Sequence, residues 1–435
     1  MKQEMCLQSV EKLSLTQMLT RLQALTGFVP LPAVAKATSK EISVRGDKVT
    51  ALYRYRQVLL EPQAVCHIAI RLEEGVVIAP TGITRQCDLH LTYGPKSKEE
   101  LRQVLALLLP LAPFILVEPD IYERFKQNQG VFAAQCLPAY GAGNIHSGLL
   151  CHLPWQIYLV NQGWADFLHK PLERLTIRQL RVKIRRLRSC LTFFKPALRR
   201  SEVAAWQNVL RRQGEELSLL RELDVALMAI ERLKTVAEKN AQSYPDRLEE
   251  LLRTARLQEA LRLRKVTALS TLTASYAELV VWLSCQPLAP AFGGVKLQPY
   301  LHTRIGQWCQ NIMNLTDKYP DFTNMPEMHK MRIKVKRFRY VLMSLPEFNQ
   351  ATGGNMLRRL KRLQDMLGFL HDEYINEQLV AKLTQEQKGS LQYEVALFNG
   401  WERAKVAAAI EALPDLWQDF CTELKSWEKA WSKNK

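Results

Sequence analysis

No apolar run in this chain approaches the roughly 20 residues that a membrane-spanning helix requires. The longest, Val104 to Val117, is broken by Pro110 and Pro113. The opening MKQEMCLQSVEK has no apolar signal core, so nothing here marks the chain for export. Nine cysteines are scattered, odd in number and never spaced C-x-x-C, which fits reduced, mostly buried thiols in a cytoplasmic protein. No G-x-S-x-G, P-loop or H-E-x-x-H occurs, and His67, His90, His146, His152, His169 and His302 share no ligand spacing. No cofactor, no metal and no catalytic residue is therefore expected. Acidic residues are also in short supply, 43 against 60 lysines and arginines, for a formal charge of +17.

The excess charge is concentrated. Leu172 to Arg212 carries net +10 and Glu327 to Arg362 net +8, so the remainder of the chain is close to neutral. Focused charge of this kind predicts a polyanionic partner and a salt-sensitive association. The two basic stretches are copies. Arg178, Arg181, Lys183, Arg185, Arg186 and Arg188 recur 151 residues later as His329, Arg332, Lys334, Lys336, Arg337 and Arg339. On a helix, Arg178, Arg181, Arg185 and Arg188 fall within an arc of about 80°. Ile177, Leu180, Ile184, Leu187 and Leu191 take the neighbouring face, as Met328, Met331, Val335 and Phe338 do in the second copy. Each copy thus reads as an amphipathic helix with a cationic stripe beside its buried one.

Arginine suits phosphate because its planar fork makes two charge-assisted hydrogen bonds, whereas lysine acts as a compact point charge. The expected core of the site is Arg178, Arg181, Arg185 and Arg188 with His329, Arg332, Lys336 and Arg339. Lys183, Arg186, Lys334 and Arg337 sit further round the helices, as an outer shell or a solvated face. Arg211 and Arg212 match Lys361 and Arg362, with Arg358 and Arg359 nearby; these form a second wall or make ordinary i,i+4 pairs. His329 gains charge beside phosphate, which would make binding pH-sensitive. Helix capping or an inter-helix hydrogen bond explains His371, followed by Asp372, better than a metal does, and Asp224 reads the same way. Trp206, Phe193, Phe194, Trp308 and Phe338 have core-like helical spacing. Single-strand readers instead interleave exposed aromatics with charge, which weighs against RNA while leaving it as an alternative.

Along the chain, residues 1–125 read as a small α+β domain, with helices at Leu13 to Leu25 and Ser97 to Leu109. Its strands are Val49 to Tyr55 and the alternating runs around Ile68 to Leu72 and Cys87 to Leu91. Residues 126–154, rich in glycine and proline, read as a linker. Helical periodicity then takes over: residues 155–285 form a first repeat, 286–299 a hinge and 300–435 a second repeat. Single helices are expected over Tyr244 to Cys285, Leu391 to Ala412 and Pro414 to Trp431. The expected fold is mainly α, with the small α+β domain at its amino terminus.

R-x-x-R-x-K-x-R-R-x-R in the first copy and H-x-x-R-x-K-x-K-R-x-R-Y in the second resemble the two signature helices of the CHAD family. LSLLRELD at Leu217 to Asp224, LGFLHDEY at Leu367 to Tyr374 and Gly400-Trp401 resemble its further signatures. The similarity covers about residues 155–430. It implies two pseudo-symmetric antiparallel four-helix bundles that bind inorganic polyphosphate in a basic groove without turning it over, in the cytoplasm or on polyphosphate granules. Arg178 stands where the family often has histidine, and Arg221 where the second copy has His371, so no role needing two matched histidines is expected. The order of the amino-terminal domain resembles the CYTH family, the triphosphate-tunnel fold. Its chemistry departs: Glu4, Cys6 and Gln8 stand for E-x-E-x-K, Arg71 and Glu73 for paired arginines, and Asp88 and His90 for two glutamates. A triphosphatase needs carboxylates to hold Mg²⁺, so an inactive relative without a closed tunnel is expected.

Overall fold

The computed structural model describes residues 3–11, 13–23, 28–30, 38–43, 50–62, 67–79, 82–94, 97–119, 143–240, 244–285, 288–318, 322, 324–345, 351–385 and 389–433. The expected linker up to residue 142 and the CYTH-like Tyr122-Glu123-Arg124 lie outside these residues. In chain order the elements begin with β1 (Gln3–Ser9), α1 (Leu15–Gln23), β2 (Phe28–Pro30), β3 (Thr38–Ser43), β4 (Thr50–Pro62), β5 (Ala69–Ala79), β6 (Gly82–Tyr93), α2 (Lys98–Leu108) and β7 (Phe114–Val117). Helices follow: α3 (Ile145–His169), α4 (Arg174–Phe194), α5 (Arg200–Glu216), α6 (Ser218–Lys239), α7 (Asp246–Val266) and α8 (Leu269–Ser284). The last are α9 (Leu297–Lys318), α10 (Met325–Ser344), α11 (Ala351–Thr384) and α12 (Gln392–Lys433). The described residues are mainly helical with one antiparallel sheet, as the periodicity predicts. No single helix among the described residues is long and apolar enough to cross a membrane.

The chain divides into two units. The first groups Met1–Ala139, His146–His169 and Thr267–Ala289. Its sheet runs β2-β4-β5-β6-β1-β7, with β3 on β4, and the path does not close on itself among the described residues. At Gly75 a Cβ would come within 2.2 Å of the Tyr53 ring, so only glycine fits there. Helices α3 and α8 belong with this sheet, which corrects the expectation that the first CHAD-like repeat spans residues 155–285. Polar side chains explain the grouping. Asn161 Oδ1 accepts from the Leu116 backbone N–H at 2.7 Å, and Thr273 Oγ1 donates to the Phe114 carbonyl at 2.8 Å. Asn161 Nδ2 in turn donates to Thr273 Oγ1 at 3.0 Å. Backbone groups of β7 are thereby satisfied by side chains rather than by a further strand.

Three more boundaries are corrected. α3 begins at Ile145, inside the expected 126–154 linker, and carries Pro154 within it. The helix expected over Tyr244 to Cys285 is two, separated at Thr267 and Ala268. Conversely, α12 runs unbroken through Pro414. One proline costs a helix about 3 kcal/mol, and the buried side chains of Leu413, Trp417, Phe420 and Leu424 supply offsetting contacts.

The second unit groups Tyr140–Ile145, Lys170–Val266 and Pro290–Lys435. Here α4 packs against its own repeat, α10, and α6 against α11. One hydrophobic core draws on α6 (Leu223, Leu227, Ile230), α7 (Leu248, Leu252), α11 (Leu379, Val380) and α12 (Phe398), joining the halves. Leu227→Ala, at a fully buried position, should lower stability by roughly 2–5 kcal/mol. Leu261→Ala, at a half-exposed one, should stay within about 0.5 kcal/mol. Thermal unfolding of both variants checks this; equal midpoints would contradict the core assignment.

Candidate functional site

α4 and α10 set the site. α4 has its apolar residues Ile177, Leu180, Ile184, Leu187 and Leu191 buried, and it ends at Phe194, two residues before Pro196. α10 is capped by Asn324, whose side chain accepts from the Glu327 backbone N–H, and buries Met328, Met331, Val335 and Phe338. Both apolar stripes therefore turn inward, and the cationic residues beside them are held at the margin of the core. Between the helices lies a cleft of about 690 Å³. Arg178, Arg181 and Arg185 line it from α4, Arg332, Lys336 and Arg339 from α10, and Lys361 from α11. Two copies of one helix thus present their cations to a shared concavity.

The rest of the expected set divides. Arg186 is a strut: its guanidinium donates to Ser344 Oγ at 2.9 Å and to the Met343 carbonyl at 2.5 Å, and it is not itself among the residues lining the cleft. Lys334 donates to the Asn311 carbonyl at 3.5 Å, and Arg211 pairs with Glu215 at 2.8 Å. Arg358 pairs with Asn355, and Arg359 with Glu423 at 3.6 Å. Arg212, Arg362, Lys183, Arg188, Arg337 and His329 are also outside the lining. Asp224 is fully buried and accepts from Arg256 Nε at 2.6 Å, a structural ion pair. His371 caps nothing: it sits within α11, lines the cleft, and its ring lies 4.6 Å from that of His329. The inter-helix hydrogen bond expected there is made instead by Asp372, which accepts from Arg332 at 3.0 Å. Arg232 was missed. Its signal was the spacing Arg221, Val225, Met228, Arg232, one face of α6, all four lining the cleft.

Nine cationic side chains line the cleft against five carboxylates, so its net charge is positive. The field acts on its own members. Burial, then Arg332 and Arg185, pushes the Lys336 ammonium down to about 6. Burial and Arg185 push Arg181 down to about 9, still charged at neutral pH. Burial also lowers Arg332 and Arg221, and with Arg332 takes His371 down to about 4. His329 is lowered as well, by burial, Arg332 and Lys336, so without a ligand it is neutral near pH 7. The carboxylates answer weakly, since burial beside Glu402 raises Glu373 toward its neutral form. Hydrogen bonding is incomplete in a patterned way. The Nε atoms of Arg181, Arg188, Arg332 and Arg339 are buried without a partner, and these are two matched pairs of the repeat.

Residues 168–381 match the family model of the CHAD domain. The chain carries a CHAD domain. Its fold is similar to a crystal structure of the CHAD domain from the plant Ricinus communis, with a TM-score of 0.51 at 20% identity, covering 66% of this chain and 96% of that one. PptA from Streptomyces chartreusis also resembles it, with a TM-score of 0.49 at 17% identity, over 63% of this chain and 100% of that one. The comparison with curated proteins found no match. The cleft lies within the CHAD segment apart from Glu402.

The depressed Lys336 ammonium has a consequence for stability. Between its folded value of about 6 and an unfolded value of about 10.4, the unfolded chain binds more protons, so stability rises with pH across that window. The penalty is absent above the window, grows as the pH falls through it and is complete below. Lys336→Met should therefore raise the unfolding temperature of the ligand-free protein at pH 7, and the gain should shrink toward pH 10. A gain constant with pH would contradict the assigned burial.

Proposed function

We propose that the CHAD domain holds inorganic polyphosphate in the cleft between α4 and α10, by charge neutralisation and without turnover. One observation carries this reading: nine cations, most of them arginines, converge on a single concavity, six of them from two copies of the same helix. A linear polymer of phosphate supplies anionic oxygens at a short repeat, which arginine forks engage two at a time. The Nε donors of Arg181, Arg332 and Arg339, which line the cleft and lack protein partners, are suited to such oxygens. The likeness of the signature helices to the CHAD family supports the same ligand. Arg181 and Arg332 are partly committed, to the Gly214 carbonyl at 2.6 Å and to Asp372 at 3.0 Å, so they enter the cleft already oriented.

Titration of the full chain with long-chain polyphosphate should show tight binding that weakens as salt rises. Arg185→Glu with Lys336→Glu should weaken it by roughly 100-fold or more, two charge-assisted contacts being lost. Arg212→Glu with Arg362→Glu, two formal charge reversals outside the cleft lining, should have a far smaller effect. Equal losses in the two double variants would remove the cleft from the argument, and RNA competing as well as polyphosphate at fixed salt would replace the ligand.

Binding should also be linked to pH through Lys336, whose ammonium lies at about 6 in the free protein. Phosphate favours the charged form, so affinity falls as the pH rises above that value, and complex formation near pH 7.5 takes up protons. Calorimetry in two buffers of different ionisation enthalpy reads the uptake directly. It should fall sharply in Lys336→Met.

A further inference from the structure

The amino-terminal sheet carries a second polar cluster, unrelated to the cleft. In the antiparallel pairing of β1 with β6, Cys6 lies opposite His90 and Gln8 opposite Asp88. Residues two apart on a strand share a face, so Cys6, Asp88 and His90 project together. All three are buried, at 0%, 1% and 3% exposure, and one donor atom from each lies within 4.8 Å of the others. Along the sequence these residues have no recognisable ligand spacing; cross-strand register makes the cluster.

We propose that Cys6, Asp88 and His90 hold a zinc ion, with the fourth position open to water or another small ligand. The neighbours orient each donor as such a site requires. His90 Nδ1 lies 2.7 Å from Glu4 Oε1 and Nε2 faces Cys6 Sγ at 3.8 Å, so with Nδ1–H held by Glu4 it is Nε2 that a metal would take. Arg71 holds Glu4 in turn, at 3.0 Å. Gln8 and Gln86 donate to the two oxygens of Asp88, at 3.0 and 3.2 Å.

The donor set selects the metal. One thiolate, one imidazole and one carboxylate match the borderline-soft preference of Zn²⁺, whereas Mg²⁺ requires an all-oxygen octahedron. Mutual distances below 4.8 Å need only a modest contraction to reach tetrahedral bonding, at about 2.0–2.3 Å per ligand. Charge balances as well. The thiolate and the Asp88 carboxylate neutralise the dication, while Glu4 is offset by Arg71. On binding, the protons on Cys6 Sγ and His90 Nε2 leave to the buffer as the Zn–S and Zn–N bonds form, with no change of oxidation state.

The test uses the full chain, stripped with chelator and reloaded. Zn²⁺ should be retained at about one equivalent per chain after dialysis, as expected of a three-ligand protein site. Co²⁺ as a probe should give the intense visible bands of a tetrahedral ion and a near-ultraviolet thiolate charge-transfer band. Cys6→Ser should abolish the charge-transfer band, and His90→Gln should weaken Co²⁺ binding at least tenfold. Cys87→Ser, on the opposite face of β6, should change neither. X-ray absorption on the zinc-loaded wild type keeps the proposal testable even where a variant does not fold: it should show one sulfur at about 2.3 Å with a nitrogen and oxygen shell at about 2.0–2.1 Å. No metal uptake by the wild type, a shell without sulfur, or a charge-transfer band that survives Cys6→Ser would overturn the assignment and leave a hydrogen-bonded polar cluster.

Discussion

Like charges held close together out of bulk water are the constraint on which the helical unit depends. Burial comes first among the influences lowering Arg181, Arg221, Arg332 and Lys336, and the neighbouring cations add to it. Such a cluster is unfavourable by itself, because each cation loses water without gaining an equal partner. Packing on the other side of the same helices offsets it. Residues such as Ile184, Leu187, Val335 and Phe338 are fully or almost fully buried, at about 1.5–3 kcal/mol for each large side chain. The apolar stripe and the cationic stripe therefore cannot be varied independently, since the first holds the second in place.

The same constraint supports the proposal of a polyanionic occupant. A ligand that supplies negative charge removes the repulsion and meets the unfilled guanidinium donors, so binding relieves an existing penalty in addition to forming new contacts. Arginines committed to protein acceptors have a different role. Arg186, turned to the Met343 carbonyl and Ser344, joins α4 to the end of α10 and fixes the separation of the two helices. Charge of the same type in the same motif thus serves ligand and framework, depending on whether an acceptor lies within reach.

The sheet unit handles buried polarity in the opposite way. Several of its polar side chains find partners of their own, as Asn161 and Thr273 do at the edge of β7 and as Glu4 does with His90 and Arg71. Partners close at hand make the arrangement rigid, which favours a defined coordination geometry over the adaptable field of the cleft.

The repeat of six matched positions, the amphipathic faces of α4 and α10 and the alternation of β5 and β6 were all legible in the sequence, because helix and strand periods place side chains on faces by local geometry alone. The helix breaks were less so: Pro154 and Pro414 read as punctuation, yet α3 and α12 run through them because tertiary contacts outweigh a local preference. Which of the eighteen candidate cations share a cleft was not legible. Arg186 and Arg185 are adjacent, and only the approach of Ser344 makes one a strut while the other faces the cavity. The sequence by itself determined where charge and apolar surface lie on each helix, since that follows from spacing. Tertiary structure alone decided which charges meet, which lose water and which strands bring Cys6 to His90, because those depend on contacts between residues far apart in the chain.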